Sequence, residues 1–265
     1  MDFTGGDYYQ KDFDPTDYLN TYYNTTSGAF VDKYFLSFVL KKMSETFKPG
    51  CVAGNILIDV GSGPSIYQIM SACEVFKEII VTDFTDKNRQ EYERWLKKAP
   101  GIFDWAPIGN FVCELESNRQ SWAEKEEKIR RTVSKVLKCD IMKTNPVDPV
   151  TLPQADCVVT SLCLEAACKD LEALRHALKN VASLLKIRGH LVICGVLNCS
   201  FYLVGQKKFF SLAFDDVFLR KVLSEINFVI KEFEVIPVAE RKKEISDHSA
   251  IFFLLAYKQG DDKSE

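Results

Sequence analysis

The sequence predicts a doubly wound α/β domain, and three observations carry that expectation. Short apolar runs alternate with helical stretches from residue 56 to about residue 226, the pattern of a parallel sheet covered by helices on both faces. The first run, 56–60, breaks directly into Gly61-Ser62-Gly63. Such a glycine-rich strand-to-helix turn brings backbone close to a ligand with no Cβ in the way. The last two runs, 228–236 and 250–257, follow one another without a helix between them, which puts an antiparallel edge on an otherwise parallel sheet.

The elements follow in order. Residues 1–25 are rich in aromatic side chains, with Tyr8, Tyr9, Phe13, Tyr18, Tyr22 and Tyr23, and lack strand alternation. Asp14-Pro15 reads as a helix start with proline just inside it. The tyrosines suit either packing on the core or a lid over a ligand. A second helix is expected over 32–47, stopped by Pro49-Gly50. Strand 1 covers 56–60 and a helix 66–76. Strand 2 covers 78–82 and ends at Asp83, and a helix follows from Asp86 to about residue 98. A charged helix over 122–135 leads to strand 3 at 136–139, ending at Asp140. Strand 4 is 156–162, a helix covers 171–185, and strand 5 is 190–197. A helix over 214–226 precedes the closing strands. Seven strands in one sheet form a single domain over 1–265, with 1–50 as a helical lid and 259–265 as a frayed polar tail.

Composition narrows the partners. The net charge is −3, with 46% hydrophobic and 27% charged residues. That balance gives no electrostatic reason to expect nucleic acid or an anionic membrane surface. No run of 18 apolar residues is present, so no membrane span is expected, and residues 1–7 lack the pattern of a signal peptide. Nine scattered cysteines, no CxxC pair and three histidines argue for reduced thiols in a cytoplasmic, metal-free monomer.

Candidate ligand residues fall at successive strand ends, where doubly wound sheets form their crevice. Asp83 lies 20 residues after Gly63, the place of an acid that accepts from ribose hydroxyls. Asn88 serves the adenine side or caps its helix. Asp140 ends strand 3, and Ser161 and Leu162 end strand 4. A dinucleotide fingerprint requires a third glycine where Ile66 stands. The pattern Asp59-x-Gly61-x-Gly63 resembles instead that of S-adenosylmethionine-dependent methyltransferases.

Nearly the full chain resembles the small-molecule amine N-methyltransferases, the family of the nicotinamide, phenylethanolamine and indolethylamine enzymes. The carriers include Asp17-Tyr-Leu19 with Tyr22-Tyr23, residues 57–68, Ser71-Ala-Cys-Glu74, Trp95-Leu-Lys-Lys98, residues 136–140, residues 152–157 and residues 181–186. Residues 3–7, 83–86 and 113–116 look most like the indolethylamine branch. The resemblance implies a Rossmann-like fold and S-adenosylmethionine held by Tyr18, Tyr23, Gly61, Ser62, Gly63, Ser65, Tyr67, Asp83, Asn88, Asp140, Ile141 and Ser161. It implies an acceptor site lined by Leu162, Ala167, Gly195, Cys199, Tyr202 and Ser211, with Tyr18 closing over the ligands and Tyr202 stacking beside the acceptor.

Two positions depart from the nicotinamide branch: an aspartate that binds the carboxamide is Gly195 here, and a serine is Cys199. Gly195 is expected to leave room for a bulkier acceptor. Glu165, after strand 4, or a water accepts a proton from the amine; alternatively Glu165 caps the following helix. The expected activity is N-methylation of a small aromatic amine such as tryptamine, with thioethers as further acceptors. Nicotinamide methylation and a non-catalytic S-adenosylmethionine-binding role are the alternatives.

Overall fold

The computed structural model describes residues 2–24, 33–117, 120–238 and 245–260. Two helices open the chain, α1 (Gly6–Asp12) and α2 (Pro15–Tyr22). The Asp14 carboxylate starts α2 by accepting from the N–H groups of Thr16 and Asp17 at 2.9 and 3.0 Å, with Pro15 in the first turn. Helix α3 (Lys33–Thr46) follows. Part of the expected lid (1 and 25–32) and of the tail (261–265) lies outside the described residues.

A seven-stranded sheet then forms in the order β3-β2-β1-β4-β5-β9-β8. Strands β1 (Gly54–Val60), β2 (Phe76–Asp83), β3 (Val133–Lys138), β4 (Ala155–Ser161) and β5 (Leu185–Leu197) are parallel. Strand β9 (Ala250–Lys258) runs antiparallel between β5 and β8 (Phe228–Pro237). The chain order reverses between β1 and β4, so the crevice opens beyond the carboxyl ends of those strands.

Alternate residues of the strands feed two cores. Leu57, Ile79 and Val159 face α3 and helices α4 (Asp86–Leu96), α5 (Ala106–Glu116) and α6 (Trp122–Thr132). Ile58, Ile80 and Val158 face α8 (Leu171–Ser183) and α9 (Asp216–Glu225).

The structure departs from the sequence reading at four places. The helix expected over 66–76 is two short 3-10 turns, Tyr67–Ile69 and Ala72–Glu74. Every residue from 64 to 73 is buried, so the segment has no solvated face of the kind an amphipathic helix presents. Helix α5 was hidden by Pro107 in its first turn and by Gly109. That glycine is where the Trp122 ring rests, 2.0 Å from the position a Cβ would take. The charged helix ends at Thr132 and β3 begins at once.

Finally, residues 201–210 form a hairpin, β6 (Phe201–Val204) and β7 (Lys207–Phe210). Its two-residue turn rests on Gly205 at φ +58°, the glycine-first turn that hairpins favour.

Candidate active site

The strand ends β1, β2 and β4, the loop after β3, the N-terminal helices and the β6–β7 hairpin enclose one cavity of about 730 Å³. Its floor is the glycine turn. Gly61 and Gly63 have φ of +72° and +61°, values that cost a residue with a Cβ about 1–2 kcal/mol. At Gly61 a Cβ would also lie 2.2 Å from the Cys163 sulfur. The turn is closed by its own polar groups: Ser65 hydroxyl donates to Ser62 C=O at 2.9 Å and Gln68 amide donates to the same oxygen at 3.0 Å.

Asp83 ends β2 beside that turn. Its carboxylate accepts from Gly63 N–H at 2.8 Å, Thr85 N–H at 2.8 Å and the Asn88 amide at 3.0 Å. Burial pushes its pKa up, and these three donors oppose the shift. A carboxylate offers about four lone-pair sites, so one acceptor site remains. Asn88 Oδ1 has no hydrogen-bond partner and lines the same cavity. Together they present two acceptors to a vicinal diol. Asn88 therefore serves Asp83 and does not cap its helix.

Asp140 and Ile141 line the wall beyond β3, where Asp140 accepts from Met142 N–H at 3.0 Å. Asp59 lies behind the turn, 0% exposed, with no hydrogen-bond partner for either oxygen. Burial raises its pKa well above the usual carboxylate range.

The other side of the cavity is aromatic. Tyr9, Phe13, Tyr18, Tyr22 and Tyr23 enter from the N-terminal helices and Tyr202 from β6. The Tyr9 and Tyr202 hydroxyls meet in a hydrogen bond, and the Tyr18 and Tyr23 hydroxyls are 3.4 Å apart. Burial pushes the Tyr18 phenol up to about 12, so it stays neutral. Leu162 turns the chain out of β4 at φ +55°, a left-handed conformation that a branched side chain tolerates only under constraint. The N–H of Leu162 donates to Cys194 C=O at 3.0 Å, which holds it there.

Glu165 sits on the short helix α7 (Leu164–Ala167), 5% exposed. Its Oε1 accepts from Val196 N–H at 3.3 Å. Burial pushes its pKa up to about 7, against the pull of its own backbone N–H and that of Val196. It does not cap α8, whose N-terminus is held by Asp170, which accepts from Ala173 N–H at 2.7 Å.

The remaining expected residues, Ser62, Ser65, Ser161, Ala167, Cys199 and Ser211, also line the cavity. Tyr67 and Gly195 do not. Tyr67 stands one layer back, its hydroxyl 2.8 Å from that of Ser161 and its ring against Tyr23. Gly195 leaves no room for a larger acceptor. A Cβ there would lie 2.8 Å from Glu165 Oε1 and 3.0 Å from the Phe252 ring.

Tyr9, from the expected lid, also joins the lining, as do Gln68, Phe84, Cys163, Ser246 and His248. Gln68 and Phe84 were within reach, lying next to motif residues. Ser246 lies in, and His248 just beyond, the Lys/Glu-rich stretch 237–247, where no local pattern marks either side chain as a lining residue.

S-Adenosylmethionine fits these groups: hydroxyl acceptors at Asp83 and Asn88, close backbone approach at Gly61 and Gly63, and an aromatic wall for a sulfonium. Solved structures share the fold. Magnesium protoporphyrin IX methyltransferase from Synechocystis PCC 6803, solved with S-adenosylhomocysteine, superposes with a TM-score of 0.59 at 11% identity, covering 96% of this chain and 97% of that one. The N-methyltransferase NodS from Bradyrhizobium japonicum WM9 gives 0.52 at 13% identity over 86% and 99%.

Fold and cradle thus define an S-adenosylmethionine-dependent methyltransferase of the doubly wound class. Residues 1–259 match the NNMT/PNMT/TEMT family, and the chain belongs to it. It is 47% identical to indolethylamine N-methyltransferase of Oryctolagus cuniculus, over 97% of this chain and 98% of the relative. It is 45% identical to human nicotinamide N-methyltransferase over 97% of each, and 34% identical to human phenylethanolamine N-methyltransferase over 95% and 90%.

Proposed function

We propose that the protein N-methylates a small aromatic amine of the tryptamine kind, with Glu165 accepting the proton that the amine must lose. One observation carries this reading. A buried carboxyl group, held near neutrality, faces a cavity that also contains the methyl-donor cradle. When bound, S-adenosylmethionine supplies an electrophilic methyl group on a sulfonium.

The chain's own residues then have three tasks. Asp83, Asn88, Gly61 and Gly63 hold the donor, with Ser62, Ser65, Asp140 and Ile141 around it. Tyr18, Tyr23 and Tyr202 exclude water and align the acceptor with their rings, and alignment is the main source of rate for such a displacement. Glu165 takes a proton from the ammonium nitrogen and leaves its lone pair free. A base with a pKa near the working pH is well matched to that step.

Nicotinamide is the weaker candidate. Its ring nitrogen has no proton to lose, so Glu165 would be idle. The position whose aspartate serves the carboxamide in the nicotinamide branch is Gly195, outside the lining. We assign the same domain a cytosolic, monomeric role on free small molecules. All nine cysteines are unpaired, and no described helix is long and apolar enough to cross a membrane.

Methyl transfer from S-adenosylmethionine to tryptamine and to nicotinamide, measured side by side, tests the reading. Tryptamine should give the higher kcat/KM. A clear preference for nicotinamide overturns the substrate assignment, and binding of S-adenosylhomocysteine without any turnover overturns the catalytic one.

A further inference from the structure

One long apolar side chain of the donor wall belongs to no core. Met142, in the loop after β3, is 38% exposed and lines the cavity together with Asp140 and Ile141. Ile141 packs into the core beneath α8, whereas Met142 joins none of the buried clusters. The backbone on both sides of it is pinned. Asp140 N–H donates to Pro146 C=O at 2.7 Å, Lys143 N–H to Asp140 C=O at 3.0 Å, and the Asn180 amide to Ile141 C=O at 2.9 Å. Met142 N–H itself donates to the Asp140 carboxylate at 3.0 Å. A change at the Met142 sulfur is therefore borne at the cavity wall, because the loop is not free to carry it away.

The other sulfur atoms are poorly placed to react with an oxidant. Met43 and Met70 are 0% exposed, and Met1 lies outside the described residues. A thiol reacts as its thiolate, and burial raises the pKa of Cys73, Cys113, Cys139, Cys157, Cys163, Cys168, Cys194 and Cys199. Cys51 is exposed, but it precedes the start of β1, at the end of the sheet away from the cavity. A thioether needs no deprotonation, so access alone governs its oxidation. Met142 has that access and also faces the donor.

We infer that Met142 is an oxidation site through which a peroxide weakens binding of the methyl donor. The inference rests on the donor cradle and is independent of the acceptor. The thioether sulfur gives a lone pair to one oxygen of hydrogen peroxide. An S–O bond forms, the O–O bond breaks, and the departing hydroxide takes a proton and leaves as water. Sulfur loses two electrons and the peroxide gains them. The product is methionine sulfoxide, which a thiol-dependent reductase returns to the thioether.

The change reverses the chemistry of this part of the wall. A bound donor covers Met142, and covering a thioether is favourable. A sulfoxide oxygen covered without a partner is unfavourable. The Asp140 carboxylate on the same turn only accepts hydrogen bonds, so it offers that oxygen no donor.

The test treats the protein with hydrogen peroxide, locates the added oxygen by peptide mass mapping and measures S-adenosylhomocysteine Kd by calorimetry before and after. The oxygen should appear at Met142, and Kd should rise about five- to thirtyfold. Methionine sulfoxide reductase should restore it. By linkage, S-adenosylhomocysteine present during treatment should slow oxidation of Met142. Each variant serves as its own reference: the ratio of treated to untreated Kd should persist in Cys51→Ser and fall toward one in Met142→Leu. A Met142 that stays unoxidised, an oxidised Met142 with unchanged Kd, or a ratio that survives Met142→Leu overturns the inference. Failure of the donor reading shows differently, as untreated protein that does not bind S-adenosylhomocysteine, and the inference falls with it.

Discussion

The two halves of the cavity are built by different means. The donor half is made from strand ends. Gly61, Asp83, Asp140 and Ser161 each stand at or just after the end of a parallel strand, and much of the contact is through backbone. The acceptor half is made from additions to the sheet: α1 and α2, the short α7, the β6–β7 hairpin and residues 245–249. Its contacts are side chains that meet only in the folded chain. The donor half is therefore fixed by the topology, whereas the acceptor half can be rewritten one residue at a time.

Breaking the acceptor half at Glu165 should have the largest effect. Glu165→Gln keeps the shape and removes the base, so kcat for an aliphatic amine should fall about 10²–10⁴-fold with little change in S-adenosylhomocysteine affinity. The same variant separates activity from stability. In the folded enzyme the group titrates at about 7 against an ordinary 4.5, so between those values the native state holds a proton that the unfolded chain has released. Fold stability therefore falls as pH rises through this window, by about 3 kcal/mol above pH 7, while kcat/KM rises as the base is freed. Glu165→Gln should unfold at a higher temperature than the parent at pH 8 and at the same temperature near pH 4. A pH–rate profile with no inflection near 7 would count against Glu165 as the base.

Breaking the donor half comes next. Asp83→Ala strands three N–H donors and removes the hydroxyl acceptor, and charged hydrogen bonds are worth about 1.5–3 kcal/mol each. Calorimetry should show S-adenosylhomocysteine binding weakened by about 100-fold, with the preference among amines unchanged. A changed amine ranking would mean that the halves are not separable.

Gly195→Asp sharpens the comparison. Because the space beside Gly195 holds Glu165 Oε1 and Phe252, an added side chain must displace one of them, at about 1–3 kcal/mol of stability. It also sets two carboxylates together, which moves the pH–rate inflection to higher pH. An unchanged melting temperature would show that the site relaxes freely.

The smallest effect is expected at the seam. Tyr9→Phe removes the hydrogen bond to Tyr202, worth about 0.5–1.5 kcal/mol. It should raise the KM of both substrates a few-fold, because one closure covers both. Limited proteolysis of the N-terminal helices should be slowed by S-adenosylhomocysteine in the parent, and less so in the variant.

The division between the halves also governs what the sequence discloses. The succession of strands with its antiparallel edge, the glycine turn and Asp83 follow from apolar runs and from residues confined to special backbone positions, and each was legible; the order of the strands across the sheet was not read. The residues proposed for the donor lie along the same cavity, except that Tyr67 supports Ser161 from behind. The crossover was misread because periodicity distinguishes a helix by its wet face, and residues 64–73 have none. Helix α5 and the hairpin depend on Gly109 and Gly205, which look like breakers until Trp122 and the turn geometry explain them. Position 195 was read as open space because the space around a glycine depends on its neighbours in three dimensions. His248 and Ser246 reach the cavity from about fifty residues beyond β5, a meeting that no local pattern encodes.

The buried crossover also decides how ligands enter and leave. Ser65 and Gln68 bond back to Ser62, and the ammonium of Lys125, a 0% exposed residue, reaches Met70 C=O at 3.3 Å from behind. Sliding or hinging this floor would strip solvent-free contacts from both of its sides at once. Helix α1, by contrast, has no buried residue. It is moored at its edges by Gln10 to Phe84 C=O, Lys87 to Lys11 C=O and Lys207 to Asp12. Beside these polar contacts, Tyr9 bonds to the Tyr202 hydroxyl, and the Tyr8 and Tyr9 rings pack on Phe209 with centroids 5.4 and 5.1 Å away. We propose that both substrates enter past the N-terminal helices, with the glycine turn as the fixed wall of the site.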